Sequence, residues 1–385
     1  MAFYRKFHWK WIAAADRFFI IQRRRKSGVV IVRLDAIGDF VVWSHSAPEY
    51  RQLFPGQKIT LIANVLWKGL AEKLPYWDEV WAIDPDKFKK NLVYRWKWLY
   101  RISRAGFEVA LHPTFSRRLL IGDTMIRASQ ARKRVGPQGD LSNMSEGMRL
   151  MANEWYTELV HIKKEASTEL ERNAAFVHHL SGRPVQVKLH RMPSMGPLPS
   201  NLVIERDYFI IFPGASWPGR QWPAAHFASL VRQLNEKTGW IPVLCGSEGE
   251  KEFCSSIGQQ SGVYVINLAG ATNLCEFTEV IRRSRLLVGN ETSAIHIAAA
   301  VQTPVVCITG GGHFGRFVPY PEMGTPGMLI ASYHMPCYHC NWSCTQGYNG
   351  VNAVPCIREI PVSLVLKLSL EALSAQAEVG RQTSM

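Results

Sequence analysis

Residues 286–300 read LLVGNETSAIHIAAA, an order of side chains that indicates a strand, a short polar turn and then a helix. The apolar run 286–288 is typical of a buried strand, and a second such run, 304–308, follows the helix. Hydroxyl and small side chains stand where the helix begins. Free N–H groups at a helix N-terminus attract anions, so this segment predicts a phosphate-binding turn in an α/β domain.

A second turn of this kind lies near the other end of the chain, in VVIVRLDAIGDF, residues 29–40. The aliphatic run 29–34 predicts a buried parallel strand, and Gly38 allows a tight turn after it. Asp39 then stands at the carboxyl end of the strand, where open α/β sheets bind their ligands. From these residues alone, Asp39 is either a functional carboxylate or only the N-cap of a helix.

Alternating strand and helix patterns predict an α/β protein made of two Rossmann-like, doubly wound domains that face one another across a cleft. Residues 121–159 are predicted to hold basic loops, and 183–201, with four prolines, to form a linker. The predicted divisions are a basic N-terminal segment, a first domain, the linker, a second domain with a cysteine-rich loop at 334–356, and a final helix and tail: 1–26, 27–182, 183–201, 202–360 and 361–385.

Composition limits the classes of partner. The chain has 385 residues, 47% of them hydrophobic and 20% charged, which is typical of a globular protein. Its formal net charge of +14 suggests polyanionic partners such as nucleic acid, an anionic membrane or a phosphorylated glycan. No zinc-finger, RRM or KH signature occurs, so nucleic acid is not predicted as a partner.

The first 26 residues concentrate the positive charge, with eight Lys or Arg against the single acid Asp16. Aromatic and aliphatic residues alternate with the basic ones. This pattern favours a helix that lies on an anionic bilayer, and the alternative is an ordinary solvated terminus. The segment does not resemble a secretory signal, because Asp16 interrupts its apolar part and no small-residue cleavage site follows.

Four of the eight cysteines form a cluster, Cys337, Cys340, Cys344 and Cys356. Their spacing suits a structural zinc ion or an iron–sulfur centre. Reduced packing or a local disulfide are the alternatives. The other cysteines are scattered, and two of them lie in predicted strands, which indicates buried thiols.

Loops after the strands of the second half carry the residues that suit a nucleotide. The loop FPGASWPGRQWP, residues 212–223, offers the Ser216 hydroxyl and the Arg220 guanidinium, whose planar fork matches phosphate oxygens. The turn GSEGE, residues 246–250, supplies carboxylates that can accept hydrogen bonds from ribose hydroxyls, and NLAG, residues 267–270, closes the following strand. Each of these loops occurs in many proteins, but their succession at the ends of consecutive strands is a much stronger signal of a nucleotide site.

In this order the segments resemble glycosyltransferase family 9, whose best-known members are the ADP-heptose:lipopolysaccharide heptosyltransferases. The matching segments are VRLDAIGD, PGAS with RQWP, NLAG, and GNETSAIHIAAA with TPVV, at 32–39, 213–216, 220–223, 267–270, 289–300 and 303–306. They extend from about residue 29 to 310, and the cysteine-rich tail also looks like a family feature.

The resemblance implies the GT-B fold, with the acceptor on the first domain and the nucleotide sugar on the second. It also implies an inverting reaction that needs no metal or other cofactor. Asp39 matches the family's general base, which deprotonates the acceptor hydroxyl. The donor is implied to contact Ser216 and Arg220 at the diphosphate, Glu250 at the ribose, Glu291 near the sugar, and Thr292, Ser293, Ala294 and His296 at a helix N-terminus. An anionic glycolipid acceptor is implied to meet arginines of the first domain, for which Arg117, Arg118 and Arg134 are candidates.

Two residues depart from the family pattern, which usually has Asp at Glu291 and commonly Lys at Arg220. Both departures lie near the donor, so another nucleotide sugar is an alternative to ADP-heptose. The implied protein is cytoplasmic and peripherally bound to the inner membrane. Alternatives are a non-catalytic nucleotide-sugar-binding homologue and a nicotinamide-dependent oxidoreductase, although the latter needs a GxGxxG turn that DAIGD does not supply. His296 as a buried helix histidine, Glu250 as a solvated first-turn acid and Glu291 as an N-cap residue are the structural alternatives.

Overall fold

The computed structural model describes residues 2–21, 26–163, 168–187, 189–320 and 328–382, with side chains from residue 9 to residue 375 of those ranges. The chain divides into two compact units. The first comprises Met1–Ser167 and Glu171–Gln186, and the second comprises Thr168–Leu170 and Val187–Met385.

The first unit is built on a six-stranded parallel sheet with the order β3-β2-β1-β4-β5-β6. Its strands are β1 Val29–Val32, β2 Ile59–Asn64, β3 Glu79–Ile83, β4 Val109–Leu111, β5 Lys133–Pro137 and β6 Glu158–Val160. Its helices are α1 Ala2–Ala15, α2 Ile37–Ser44, α3 Ala47–Leu53, α4 Lys68–Glu72, α5 Pro85–Lys90, α6 Leu92–Ala105, α7 Thr124–Ser129 and α8 Glu146–Asn153, and α9 Glu169–Ser181 begins at the boundary between the units.

The second unit repeats this plan with the strand order β12-β11-β10-β7-β8-β9, again with parallel neighbours. Its strands are β7 Tyr208–Phe212, β8 Ile241–Leu244, β9 Ile266–Asn267, β10 Leu286–Asn290, β11 Val305–Ile308 and β12 Met328–Ala331. Its helices are α10 Ala224–Thr238, α11 Lys251–Ser261, α12 Leu274–Arg283, α13 Ser293–Ala300, α14 Pro355–Arg358 and α15 Val362–Gln382.

Each sheet starts at its centre, grows outward over two strands, and then returns to the other side of the first strand. This order creates a topological switch point between β1 and β4 in the first unit and between β7 and β10 in the second. The central strands β1 and β10 are buried along their whole length because helices cover both faces of a parallel sheet. The prediction of an α/β protein with two Rossmann-like, doubly wound domains is confirmed. In such sheets the switch points are where ligands bind.

Several predicted elements differ from the structure. Helices α2 and α3 are separate, because Pro48 occupies the first turn of α3. The prediction of basic loops at 121–159 was wrong, since α7, β5, α8 and β6 lie there. Only the second half of β5 is buried, so its basic first residues concealed a strand. Strand β12 and helix α14 were not predicted.

The described part of the N-terminal segment packs on the first unit. Asp16 is fully buried and forms an ion pair with Arg95 of α6 at 2.6 Å, and Phe19 stacks on Trp96 of the same helix with ring centroids 4.4 Å apart. These contacts anchor the segment to the first unit at Asp16 and Phe19, so it is not a detached, frayed terminus there. Most of the charge that predicted membrane contact, at residues 22–25 and on the side chains of residues 1–8, lies outside the described residues. Within the described ranges, none of the helices combines the length and the apolar character that crossing a bilayer requires.

Candidate functional site

The loops that leave β7 and β10 meet at the switch point of the second unit, and Asn290 joins them. Its side-chain nitrogen donates to the Pro213 carbonyl at 2.7 Å, and its oxygen accepts from the Trp222 backbone N–H at 3.1 Å. The preceding Gly289 admits no side chain, because a Cβ there would lie 2.6 Å from the Phe212 carbonyl oxygen. The strand ends are therefore held in close register, which fixes the two loops relative to each other.

Arg220 lies in a 3₁₀ turn of the loop after β7 and reaches the loop after β10. Its guanidinium donates to the Glu291 backbone carbonyl at 2.6 Å and lies 3.4 Å from a Glu291 carboxylate oxygen. It also contacts the exposed Ser216 hydroxyl at 3.4 Å. The two residues that depart from the expected family pattern are thus direct partners of each other.

Glu291 is nearly buried, with 7% of its side chain exposed. One carboxylate oxygen faces Arg220, and the other accepts a hydrogen bond from the Thr309 hydroxyl at 3.1 Å. Burial raises the pKa of the Glu291 carboxyl, and the Arg220 charge and the Thr309 hydrogen bond offset part of that rise. The N-cap alternative is wrong for Glu291, because the N-cap of α13 is Thr292.

The N-terminus of α13 has the properties of an anion site. Thr292 adopts an extended backbone conformation and gives its helix no side-chain cap. Among the described residues nothing hydrogen-bonds its buried hydroxyl oxygen. Ser293 and Ala294 start the helix, where backbone N–H groups lack intrahelical acceptors. Arg220 adds a formal positive charge beside this helix end, so the arrangement suits a phosphate or diphosphate.

His296 lies one turn into α13 and is 3% exposed. Its Nδ1 lies 2.5 Å from the Tyr320 hydroxyl. Burial, with a smaller effect of the nearby Arg220 charge, lowers the pKa of His296 to about 4, so the imidazole is neutral at physiological pH. These observations favour the alternative of a buried histidine with a satisfied hydrogen bond.

Glu250 occupies the end of a 3₁₀ turn after β8. One of its oxygens accepts hydrogen bonds from the Ser247 N–H at 2.7 Å and from the Ser247 hydroxyl at 2.8 Å. The other oxygen lies against Gly214, where a Cβ would come within 1.9 Å of it. Glu250 is therefore not a fully solvated acid. It caps its own turn and also contacts Gly214 in the loop after β7.

The cysteine-rich loop places an aromatic side chain against Arg220. The Trp342 ring centroid lies 5.0 Å from the guanidinium carbon and 5.9 Å from the rings of both Trp217 and His313. A Cβ on Gly312 would come within 2.3 Å of the Trp342 ring. Trp342, Gly312 and Asn290 were not predicted to be site residues. Glycines repeated directly after β11, at 310–312, were the available signal for close packing there.

The four clustered cysteines line one cavity of about 10 Å³ together with Trp342 and Met335. All four are thiols, so the alternative of a local disulfide within the cluster is not realised. Cys356 accepts a hydrogen bond from the Gly311 N–H at 3.4 Å, and burial raises the pKa of its thiol. In the described parts of the chain, no three His, Cys, Asp or Glu side chains are grouped closely enough to hold a metal ion.

In the first unit, Asp39 lies in the first turn of α2 and is half-buried. It is the third residue of that helix, and Ala36 is the N-cap, so the alternative that Asp39 is the N-cap is wrong. The neighbouring Asp35 was not singled out from the sequence. It is held at the switch point by Arg33 at 2.7 Å and by the Thr114 hydroxyl of the loop after β4 at 3.0 Å. Two carboxylates thus follow β1 at the carboxyl edge of this sheet.

The three arginines predicted to bind the acceptor have different surroundings. Arg117 is 1% exposed, and its guanidinium contacts Asp123 at 3.3 Å and the Gln138 carbonyl at 3.2 Å, so it holds the core together. Arg134 lies at the start of β5, hence at the amino edge of the sheet and opposite Asp39, and it donates to the Trp155 carbonyl. Both placements argue against contact with an acceptor beside Asp39. Arg118 is exposed in the loop after β4 and remains a candidate.

The sequence of the chain is similar to that of a known protein family. The model of the family described as Glycosyltransferase family 9 (heptosyltransferase) matches residues 128–345, more than half of the chain. Lipopolysaccharide heptosyltransferase 2 of Escherichia coli strain K12 is 30% identical over 139 residues, which are 35% of this chain and 40% of that protein. The chain therefore aligns with about two fifths of the length of this curated relative.

Solved structures show the same fold. The E. coli ADP-heptose LPS heptosyltransferase II is similar with a TM-score of 0.67 at 18% identity, over 91% of this chain and 99% of that chain. The iron-containing dodecameric glycosyltransferase TibC from enterotoxigenic E. coli is similar with a TM-score of 0.55 at 15% identity, over 92% of this chain and 78% of that chain. At these identities the similarity supports the fold, GT-B-like, rather than a substrate.

Proposed function

The chain belongs to glycosyltransferase family 9, and on this basis we propose that it transfers a sugar from a nucleoside-diphosphate sugar to an anionic glycolipid. ADP-heptose as donor and a lipopolysaccharide core as acceptor are the proposed pair, since the relatives named above are heptosyltransferases of this kind. One observation carries the donor side of the proposal: the N-terminus of α13 presents a buried hydroxyl, Thr292, beside the charge of Arg220.

The proposed reaction is a single displacement. Asp39 takes the proton of the acceptor hydroxyl, whose oxygen attacks the anomeric carbon as the bond to the diphosphate breaks. The configuration at that carbon inverts. Negative charge then grows on the departing diphosphate. Arg220, the Ser216 hydroxyl and the first N–H groups of α13 are the groups that stabilise this charge, so the mechanism needs no metal cofactor.

The two units have different proposed roles. Residues 27–182 would hold the acceptor and residues 202–360 the donor, with Glu250 at the ribose and Glu291 near the sugar. Arg118, which is exposed at the carboxyl edge of its sheet, is the proposed contact for a phosphate or carboxylate of the acceptor. A glycolipid acceptor is embedded in a bilayer, so the enzyme would work at the cytoplasmic face of the inner membrane as a peripheral protein.

The identity of the donor is the part of the proposal that depends most on the Arg220–Glu291 pair. Glu291 is one methylene longer than the aspartate expected from the family, and Arg220 anchors it. A different nucleotide sugar is therefore the second candidate, and the pair is the observation that favours it. A homologue that binds nucleotide sugars without transferring them is the remaining alternative.

A panel of nucleotide sugars, each tested for its effect on the melting temperature of the purified protein, identifies the donor, because a ligand that binds only the folded state raises that temperature. The stabilising donor is then incubated with lipopolysaccharide core acceptor, and release of the nucleoside diphosphate is measured. Acceptor-dependent release from ADP-heptose is the expected result. Stabilisation without release would favour the non-catalytic alternative, and stabilisation by another sugar nucleotide alone would replace the donor.

The cysteine cluster has a separate proposed role. We propose that Cys337, Cys340, Cys344 and Cys356 hold a structural zinc or iron ion once their side chains turn towards their shared cavity. All four cysteines line the same cavity, which supports this proposal. The iron-containing glycosyltransferase named above makes iron the second metal to test. The ion would stiffen the loop that carries Trp342 and take no part in sugar transfer.

A further inference from the structure

The outward face of helix α6 is basic and aromatic. Five residues spaced as one stripe of a helix are exposed: Val93, Lys97, Tyr100, Arg101 and Arg104. The opposite face, with Leu99 and Ile102, is buried in the core of the first unit. Three of the Lys or Arg residues of helix α6, Lys97, Arg101 and Arg104, lie on this exposed face, and the helix has no Asp or Glu, so its outward face is positively charged.

The N-terminal segment, which packs on another side of α6, adds exposed aromatic side chains. Phe19 stacks on Trp96 of α6, which leaves the neighbouring Phe18 side chain 87% exposed. Trp11, in the helix that precedes it, is 75% exposed. Large aromatic side chains that stand in solvent next to basic residues are typical of surfaces that enter the headgroup region of a bilayer.

A cavity of about 460 Å³ opens at the C-terminal end of the same stripe. Its cations are Arg101, Arg104 and Lys58, and Glu79 is its one carboxylate. Trp81 and Phe107 form apolar walls. Lys58 and Glu79 neutralise each other through an ion pair at 2.6 Å. With three cations against one carboxylate, the cavity keeps a net positive charge that an anionic ligand would neutralise.

Aromatic rings, rather than carboxylates, hold the two arginines. The Arg101 guanidinium carbon lies 4.2 Å from the Trp81 ring centroid and 4.8 Å from that of Trp98. Arg104 donates to the Tyr100 hydroxyl at 3.0 Å. Among the described residues, no carboxylate lies within ion-pair distance of either guanidinium. Stacking orders an arginine but leaves most of its N–H donors available, which is the state that recognises phosphate.

The cavity is distinct from the proposed catalytic site. It is lined by Ser27 and Gly28 before β1, by Lys58 before β2 and by the first residue of β3. These residues mark the amino edge of the sheet. Asp39 and Asp35 follow the carboxyl end of β1, at the other edge of the same sheet. The acceptor sugar proposed above would therefore not occupy this cavity.

We propose that the α6 stripe rests on an anionic bilayer and that the cavity binds the phosphate headgroup of an anionic phospholipid. The stripe supplies the positive surface, the exposed aromatics enter the headgroup layer, and Arg101 and Arg104 contact the phosphate. This inference locates the membrane contact that the proposed function requires, but it does not depend on sugar transfer. A free phosphate ion shares the chemistry of the headgroup and is distinguished from it by the test.

The test measures sedimentation of the purified full-length protein with vesicles of phosphatidylcholine, either alone or with phosphatidylglycerol. Strong binding is expected only with phosphatidylglycerol. The double variant Arg101→Gln/Arg104→Gln should bind about 30-fold less, the change that about 1 kcal/mol per basic residue near the surface gives for two residues. The control Arg206→Gln/Arg232→Gln removes the same charge from exposed positions of the second unit and should bind like the wild type.

A second pair of variants tests the cavity apart from the stripe. Lys58 lines the cavity but does not belong to α6, and Lys58→Gln should weaken vesicle binding several-fold. Lys251→Gln is its matched control, because Lys251 is also in an exposed ion pair, with 58% of its side chain exposed against 60% for Lys58. Equal binding by these two variants would overturn the headgroup site.

Two further outcomes would overturn the proposal. If the arginine double variant and its control lost binding equally, net charge rather than α6 would drive it. If inorganic phosphate raised the melting temperature of the wild type while phosphatidylglycerol vesicles failed to bind it, the cavity would be a phosphate site and not a lipid site. Transfer to a water-soluble acceptor fragment, measured in the same preparations, should be unchanged in the arginine double variant, so loss of membrane binding is separable from failure of the proposed function.

Discussion

Replacing the two donor-site residues that differ from the family pattern, singly and together, tests whether they act as one unit. Arg220→Lys keeps the positive charge but loses the fork that contacts the Glu291 carbonyl at 2.6 Å, its carboxylate at 3.4 Å and Ser216 at 3.4 Å. One charge-assisted hydrogen bond is worth about 1.5–3 kcal/mol. The specificity constant kcat/KM should therefore fall by about 10- to 100-fold.

Glu291→Asp withdraws the carboxylate from both Arg220 and the Thr309 hydroxyl, which hold it in a site with 7% exposure. We expect a loss of about 1–3 kcal/mol, because a buried polar group then lacks its partners. The carbonyl of residue 291 remains, so only the contact between the guanidinium and the carboxylate is shared by the two variants. Each single variant loses the free energy of that contact, but the double variant can lose it only once. The loss of transition-state stabilisation in the double variant should therefore be about 1 kcal/mol smaller than the sum of the two single losses.

Steady-state release of the nucleoside diphosphate gives kcat/KM for the four proteins of this cycle, and thermal melting checks that each is folded. The matched control is a cycle on Arg285 and Asp207, whose side chains lie 2.8 Å apart in an exposed pair away from the loops of the site. Its variants, Arg285→Lys and Asp207→Glu, should leave kcat/KM unchanged. Strict additivity at Arg220 and Glu291, with a coupling energy below about 0.3 kcal/mol, would refute the reasoning.

Three further outcomes follow from particular contacts. Between about pH 6.5 and pH 4 the unfolded chain binds a proton at His296 that the folded chain, with a pKa of about 4, does not, so stability falls as the pH drops. Over this pH range the free energy of unfolding of His296→Gln, measured by denaturant melts, should fall by about 3 kcal/mol less than that of the wild type. An equal fall in both proteins would contradict the neutral buried imidazole. Trp342→Ala removes the ring against which Arg220 packs and should weaken nucleotide binding about fivefold in calorimetry, whereas the exposed Tyr333→Ala should not. Elemental analysis should find about one zinc or iron per chain, lost on Cys344→Ser but not on Cys275→Ser, and a metal-free wild type would contradict the metal proposal.

The architecture was predictable because strands buried in parallel sheets are uninterrupted aliphatic runs. The segments VVIV and LLV, at 29–32 and 286–288, led directly to β1 and β10. Strand β5 was missed because Lys133 and Arg134 occupy its exposed beginning. Apolar residues mark the buried part of a strand. A strand whose first residues face solvent at the amino edge of a sheet is therefore hard to recognise in the sequence.

The donor loops were predicted as segments, but not the contacts within them. The sequence indicates that Arg220 and Glu291 each follow a strand of the second unit. Only the register between β7 and β10 brings their side chains within 3.4 Å of each other. Trp342 lies 122 positions after Arg220 in a loop without periodicity, so its contact with Arg220 could not be read from local pattern. His296 and Arg117 show the converse limit. Their residue types suggested ligand contacts, and only burial and hydrogen-bond partners identified them as internal.

The most direct test of the central claim compares sugar transfer by the wild type and by Asp39→Asn, with donor and acceptor both saturating. Asp86→Asn is the control, since it removes an exposed first-turn carboxylate from another helix of the same unit. A general base contributes about 10²- to 10⁴-fold, so Asp39→Asn should lose at least a hundredfold in rate while it binds the nucleotide as tightly as the wild type. Transfer by Asp39→Asn at the rate of the Asp86→Asn control would contradict the account.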